Sequence, residues 1–237
     1  DLPLSRGLGD VYKRQIRTIL ITLLFAGFST VANAEARMGV TIMGLDASGN
    51  AEEMSRGVEQ TRSEDLQGVI ASFFIEKGFD TPIGPMAVGL DIAPYDIAEV
   101  SVTNKRIYSN TANSQTNTAD VSISENYGAY VMMGLGDTGA YIKAMVTSHN
   151  ADVTSTKIMN KSGNSDTQTN STYPDQDFLG GHLSLGFERD MGDMFIRGEV
   201  GATEYQKVES KSSSGNTTVT AQIENGTHAR ISIGKAF

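Results

Sequence analysis

From residue 119 to 135 apolar and polar residues alternate with a period of two. Val121, Ile123, Tyr127, Ala129, Val131, Met133 and Leu135 share one face, and Asp120, Ser122, Ser124, Asn126, Gly128 and Gly134 share the other. Successive side chains of a β-strand point to opposite faces, so this is a strand with one apolar and one polar side. The pattern returns at the C-terminus, where Ala229, Ile231, Ile233 and Phe237 oppose His228, Arg230, Ser232, Gly234 and Ala236. A tilted strand of roughly 9–11 residues crosses the hydrocarbon core of a bilayer. After residue 34 no stretch is long and apolar enough for a membrane helix, so a membrane reading must rest on strands.

Eight such runs can be laid out in order. Residues 37–46 bring Met38, Val40 and Ile42 together, and residues 66–79 do the same for Val69, Ala71, Phe73, Ile75 and Phe79. Met86, Val88, Leu90 and Ile92 form the third apolar face, and Pro94 after them is expected to disturb the register as a bulge. The fourth run is 119–135. Ala140, Ile142, Ala144 and Val146 mark the fifth, Leu179, Leu183, Leu185 and Phe187 the sixth, and Met194, Ile196, Val200 and Ala202 the seventh. The terminal run is the eighth. Tight turns are expected at 80–84, 136–139 and 190–193. The other four connections cross polar tracts, including 48–65, 104–118 and 211–216, which read as long loops on a single domain.

Short turns alternating with long polar connections predict an all-β fold, an eight-stranded antiparallel up-and-down transmembrane β-barrel over residues 35–237. An even strand count puts both ends of the barrel on the periplasmic side. Phe79, Tyr141, Phe187, Phe195 and Phe237 are expected to form one interfacial girdle, and Tyr95, Tyr127 and Tyr205 a second, outer one. A soluble β-sandwich or lipocalin-like barrel is the fold alternative, and it would turn the apolar faces inward.

The N-terminal residues carry other signals. Residues 19–28 are apolar apart from Thr22, follow Lys13, Arg14 and Arg17, and precede Ala32-Asn33-Ala34. That is a secretory signal peptide over 16–34, truncated at its start, with cleavage expected after Ala34. Residues 1–15 resemble adaptor read-through and are set aside as non-native. Without residues 1–34 the chain holds 15 basic and 26 acidic side chains, a net charge of −11. Such a surface repels phosphate backbones and argues against a nucleic-acid partner. Cysteine is absent, so no disulfide staples this exported chain.

With its terminal Phe, the pattern resembles the small eight-stranded outer-membrane proteins. That group includes the membrane domain of outer membrane protein A, outer membrane protein X and the opacity-type surface proteins. The resemblance implies an outer-membrane location among lipid and lipopolysaccharide. It also implies an assembly signal, Ile231, Ile233 and Phe237, read by the barrel-assembly machinery. Members commonly carry an aromatic two residues before the terminal Phe, where this chain has Lys235.

If the apolar faces meet lipid, the opposite faces line the interior. Glu76, Asp91, Lys143, Glu188, Arg197, Glu199 and Arg230 all have that parity. An eight-stranded barrel is just wide enough for side chains to fill it, so these charges are expected to pair across the lumen and plug it. His149, His182 and His228 share the inward parity, but no close-spaced pair and no cysteine support a metal site. The sequence implies no cofactor. Gly134-Leu135-Gly136-Asp137-Thr138-Gly139 matches the dinucleotide fingerprint by letter, yet the residues after it alternate as a strand, and the fingerprint must open a helix.

The function expected is therefore non-enzymatic: a structural and surface-interacting barrel, in adhesion or envelope integrity, whose loops meet an extracellular ligand. Two alternatives stand beside it. One is a narrow ion or small-solute channel. The other is a lipid A acyl hydrolase in which His182 activates Ser184, with Glu188 or Glu199 orienting the imidazole.

Overall fold

The computed structural model describes residues 35–55, 58–95, 98–107, 114–161, 164–211 and 217–237. The signal peptide and the adaptor-like segment lie outside the described residues. The strands are β1 Glu35–Ser55, β2 Val58–Thr81, β3 Gly84–Ala93, β4 Ala98–Ile107, β5 Ser114–Gly134, β6 Ala140–Lys161, β7 Asn164–Thr172, β8 Gln176–Met191, β9 Met194–Tyr205, β10 Val208–Lys211 and β11 Thr217–Ala236.

Every pairing is antiparallel. β1 bonds to β2, β2 to β3, β3 to β5, β5 to β6, β6 to β8, β8 to β9, β9 to β11 and β11 back to β1. These eight strands close a ring. The other three, β4, β7 and β10, pair on outside it. Turns at the closed end join β2 to β3, β5 to β6 and β8 to β9, and Gly136, Gly139 and Gly192 supply the positive φ that two of these turns require. The stretch 136–139 is one short 3₁₀ turn running into β6, so the glycine fingerprint opens a strand here.

The wall faces lipid on its outer side. Val69, Phe73, Leu183, Leu185, Val200 and Ile231 are exposed, while their neighbours in sequence, among them Ile70, Ser72, Phe74, His182, Ser184, Glu199 and Arg230, are buried within the ring. An apolar exterior on a closed barrel leaves no open edge and no unpaired backbone in hydrocarbon. A soluble barrel would invert this arrangement.

Three expectations change. The polar tracts are largely strand: β1 and β2 stay paired out to Ser55 and Val58, and β5 and β6 out to Ser114 and Asn160. Ladder bonds formed in the wall carry on outward through Ser, Thr and Asn, residues that turn propensity alone assigns to loops. Pro94 makes no bulge; it ends β3, since it has no N–H for the ladder. The Tyr95 hydroxyl then caps the vacated edge of β2, accepting from the Ala71 N–H and donating to its carbonyl.

The bulges lie elsewhere, between Ser124 and Tyr127 of β5 and between Asp46 and Ser48 where β1 meets β11. Asn225, at φ 51°, sits opposite the second. One extra residue flips every side chain beyond it. Ile123, expected on the face of Tyr127, therefore turns inward. Together with Ile223 and Val208 it packs on Ala151, Phe178 and Tyr205 and closes the outer mouth with an apolar cluster.

A closed barrel resists dodecyl sulfate until heated. Unboiled protein should run faster on a gel than boiled protein, and equal mobility together with recovery in the soluble periplasm would contradict this fold.

Candidate functional site

Inside the ring, ionised side chains from several strands meet. Glu76 on β2 is fully buried, and both guanidinium nitrogens of Arg197 on β9 donate to its carboxylate, Nη1 at 2.7 Å. The Tyr130 hydroxyl donates to the same carboxylate at 2.6 Å. Arg197 also donates through Nε to Glu188, which accepts a second bond of 2.9 Å from Arg37. The Arg197 guanidinium lies 4.4 Å from the centre of the Phe195 ring. Two arginines and two glutamates thus meet as a charge-assisted cluster, and the exposed Glu35 accepts from Arg37 Nε at 3.0 Å.

Further along, Lys143 of β6 donates to Glu199 of β9 at 3.1 Å, and Tyr141 donates to the same oxygen at 3.0 Å. Arg230 of β11 then faces Asp91 of β3 at 3.5 Å, with its Nε 3.1 Å from the Met43 sulfur. Glu76, Asp91, Lys143, Glu188, Arg197, Glu199 and Arg230 are thus placed in three ion-paired groups. Arg37, at the start of β1, is the fourth base that balances four acids. Glu199 and Arg230 are direct neighbours across the β9/β11 ladder, yet each finds its ion partner elsewhere in the lumen. Burying a charge is tolerable only with such a partner.

Three aromatics expected in the girdles belong here instead. Tyr141, Phe195 and Tyr205 are buried inside the ring, while Phe187, Phe237, Tyr95 and Tyr127 remain outside. The alternation held the signal: Tyr141 lies between Ala140 and Ile142, and Phe195 between Met194 and Ile196, so both have inward parity. What admits these rings is glycine. Gly39 lies directly across the ladder from Phe74, Gly89 from Tyr130, Gly186 from Tyr141, Gly234 from Phe195, Gly180 from Tyr205 and Gly201 from His228. A Cβ on any of these glycines would collide with the ring lying over it.

Beyond the third cluster the interior is uncharged and hydroxyl-rich. His182 does not contact Ser184. Its Nε2 bonds to Thr147 and its Nδ1 to Thr203, each at 3.0 Å, while Ser184 lies 2.9 Å from His228 Nε2. The other nitrogen of His228 meets Thr203 at 2.7 Å rather than a carboxylate, so the Ser-His-Glu triad proposed from sequence is not assembled. Thr41 and Ser232 pair at 2.8 Å on the other side of Arg230, level with Arg197 in the ladder. Among the described residues, no group of three or more His, Cys, Asp or Glu could hold a metal ion.

No family model matches this chain, and no curated protein sequence does. Among solved structures it is similar to the outer membrane protein OprG from Pseudomonas aeruginosa, at 12% identity and a TM-score of 0.48, covering 86% of this chain and 96% of that one. It is also similar to Ail, the attachment invasion locus protein of Yersinia pestis, solved with a heparin analogue, at 10% identity and a TM-score of 0.29, covering 86% and 99%. The outer membrane protease OmpT from Escherichia coli matches at 6% identity and a TM-score of 0.32, covering 86% and 97%. The architecture of this chain stands on its own pairings and faces. It is an eight-stranded transmembrane β-barrel. Its lumen is filled by side chains and capped by an apolar cluster.

Removing one partner of a buried ion pair strands the other. Arg197→Met should lower stability by about 3–5 kcal/mol, read as a lower temperature for losing the fast-migrating folded band. Adding Glu76→Met to that variant should restore part of the loss, and an unchanged temperature in Arg197→Met would contradict the assigned pairing.

Proposed function

We propose that this protein is a bacterial outer-membrane surface protein without catalytic activity: the barrel anchors it, and the strands that project from the barrel bind an extracellular partner. The observation that carries this reading is the continuation of the wall strands past their apolar bands. β1, at 21 residues, and β2, at 24, are about twice the length that crossing requires. Their outer halves pair with β11 and β10 into one projecting sheet, and β5 and β6 pair with β4 and β7 into a second. The borders of these sheets, β4 and β7 in one and β10 and the outer part of β2 in the other, each have an edge with no strand partner among the described residues. An unpaired edge offers backbone N–H and C=O groups to an extended polypeptide. The partner class this favours is a peptide segment that adds as a strand.

Export through the signal peptide over 16–34, removed after Ala34, and insertion by the barrel-assembly machinery complete this reading. Ile231, Ile233 and Phe237 support the second step, since all three are exposed on the outer face of β11 or at its end, Phe237 at 66%. A channel would need a continuous wet path, which the three ion clusters and the apolar cap oppose.

An epitope inserted between β1 and β2 should label intact cells, and the purified protein, with Glu35 as its first residue, should show no steady conductance in a planar bilayer. Steady current would point to the channel, and labelling only after permeabilisation would reverse the orientation. Deleting Phe237 should reduce the amount assembled in the outer membrane several-fold at equal synthesis, and unchanged assembly would remove these residues as the signal.

A further inference from the structure

Six side chains from four strands form one unbroken chain of hydrogen bonds inside the barrel. His149 Nε2 meets the Thr147 hydroxyl at 2.8 Å, which meets His182 Nε2 at 3.0 Å. His182 Nδ1 meets the Thr203 hydroxyl at 3.0 Å, which meets His228 Nδ1 at 2.7 Å, and His228 Nε2 meets Ser184 at 2.9 Å. All six residues are buried. The Gly180 carbonyl is a competing acceptor for the Thr147 hydroxyl, and at 3.4 Å it is farther away than either imidazole.

A proton count constrains this chain. Each bond holds one proton, so the five bonds hold five. Three neutral imidazoles and three hydroxyls carry six. With Thr147 donating along the chain and not to Gly180, one proton is surplus, and it lies at an end: on the Ser184 hydroxyl or on His149 Nδ1. With the surplus at Ser184, every donor points from His149 toward Ser184. With it at His149, every donor points back. His149 Nδ1 is buried and has no hydrogen-bond partner, which leaves that end free to take a proton.

We propose that these six residues are a single proton-binding site that takes up one proton and shares its charge among the three imidazoles. A solvent proton added at His149 Nδ1 makes that ring an imidazolium. His149 then passes its Nε2 proton to Thr147, while Thr147 passes its own to His182 Nε2, and the charge moves to His182. The same exchange through Thr203 moves it to His228. No bond between heavy atoms changes and no ring turns. The threonine hydroxyls are the coupling elements, because each one donates to one imidazole only while accepting from the next.

The charged groups that act on these rings come from three strands: Arg230 of β11, whose counter-ion is Asp91 of β3, Lys143 of β6 and Glu199 of β9. The Tyr205 ring packs edge-on against His149 and His182. Arg230 and Lys143 repel a charge on His182 and on His228, and Glu199 attracts one on His228, the ring farthest along the chain from His149. A cavity of about 670 Å³ where β9 leaves β11 touches His182 and Thr203.

The test is nitrogen NMR of the full chain with isotope-labelled histidine, in detergent or bilayers, across a pH titration. The tautomer and charge of each ring are read separately. One common midpoint for the three rings is expected, with His182 exchanging its Nδ1–H for an Nε2–H as the charge reaches His228. Thr203→Val keeps the shape and removes the hydroxyl, and it should separate the His228 midpoint from the other two. Thr203→Ser should keep them together. Heat-modifiable mobility shows that each variant is folded. Three independent midpoints in the unsubstituted protein would overturn the proposal, as would a Thr203→Val variant that still titrates with a common midpoint.

Discussion

Closing a ring of eight strands leaves an interior just wide enough to be filled by side chains, and this width decides what each inward position can be. A ring placed inward at one residue needs empty space at its cross-strand neighbour. Six times in this barrel that neighbour is glycine. The phenol of Tyr130 lies over Gly89 and so reaches Glu76, and the phenol of Tyr141 lies over Gly186 and so reaches Glu199. The aromatic–glycine pairs are thus also what positions the ion clusters. Without Gly89, the hydroxyl that completes the Glu76 carboxylate would be displaced from it.

The ionised interior follows from the inverted surroundings. The lipid face must be apolar, and period two then puts the polar residues of each strand inside, where water is nearly excluded. Arg197 meets this by donating to two carboxylates while stacking near Phe195, so that its charge and its planar faces are both satisfied. Because the pairs join strands that are not neighbours, Arg197 on β9 to Glu76 on β2 and Arg230 on β11 to Asp91 on β3, they also discriminate against a shifted register. Moving one strand by a single residue would leave a charge buried without its partner.

How far the sequence carries can be followed strand by strand. The alternation of residues 119–135 reveals the wall and its lipid face, and the same parity reveals which charges point inward. It does not reveal their partners, because partners are set by the stagger of the closed ring and not by any one strand. The inward parity of Tyr141 and Phe195 was legible too. The habit of assigning aromatics near turns to an interface competed with it, and space over glycine decided the outcome. Bulges at Ser124/Tyr127 and Asp46/Ser48 were not legible, since a polar rim hides the change of face. The polar tracts were misread for a related reason: Ser, Thr and Asn occupy both parities there, so no alternation of apolar with polar residues marks them as strand.

That two-sided polarity bears on how the projecting sheets can work. In the wall, register is fixed by burial on one face. In the outer halves of β1, β2, β5 and β6 polar residues fall on both parities of the strand, and register is carried outward from the wall through continuous backbone bonds. A sheet held in this way can keep its hydrogen-bonding edges in place while its side chains vary. Binding through the backbone of such an edge asks little of the side chains beside it. The filled barrel beneath anchors these sheets through the same continuous strands, so the glycine-seated rings and ion clusters of the lumen and the strand edges outside are two ends of one arrangement.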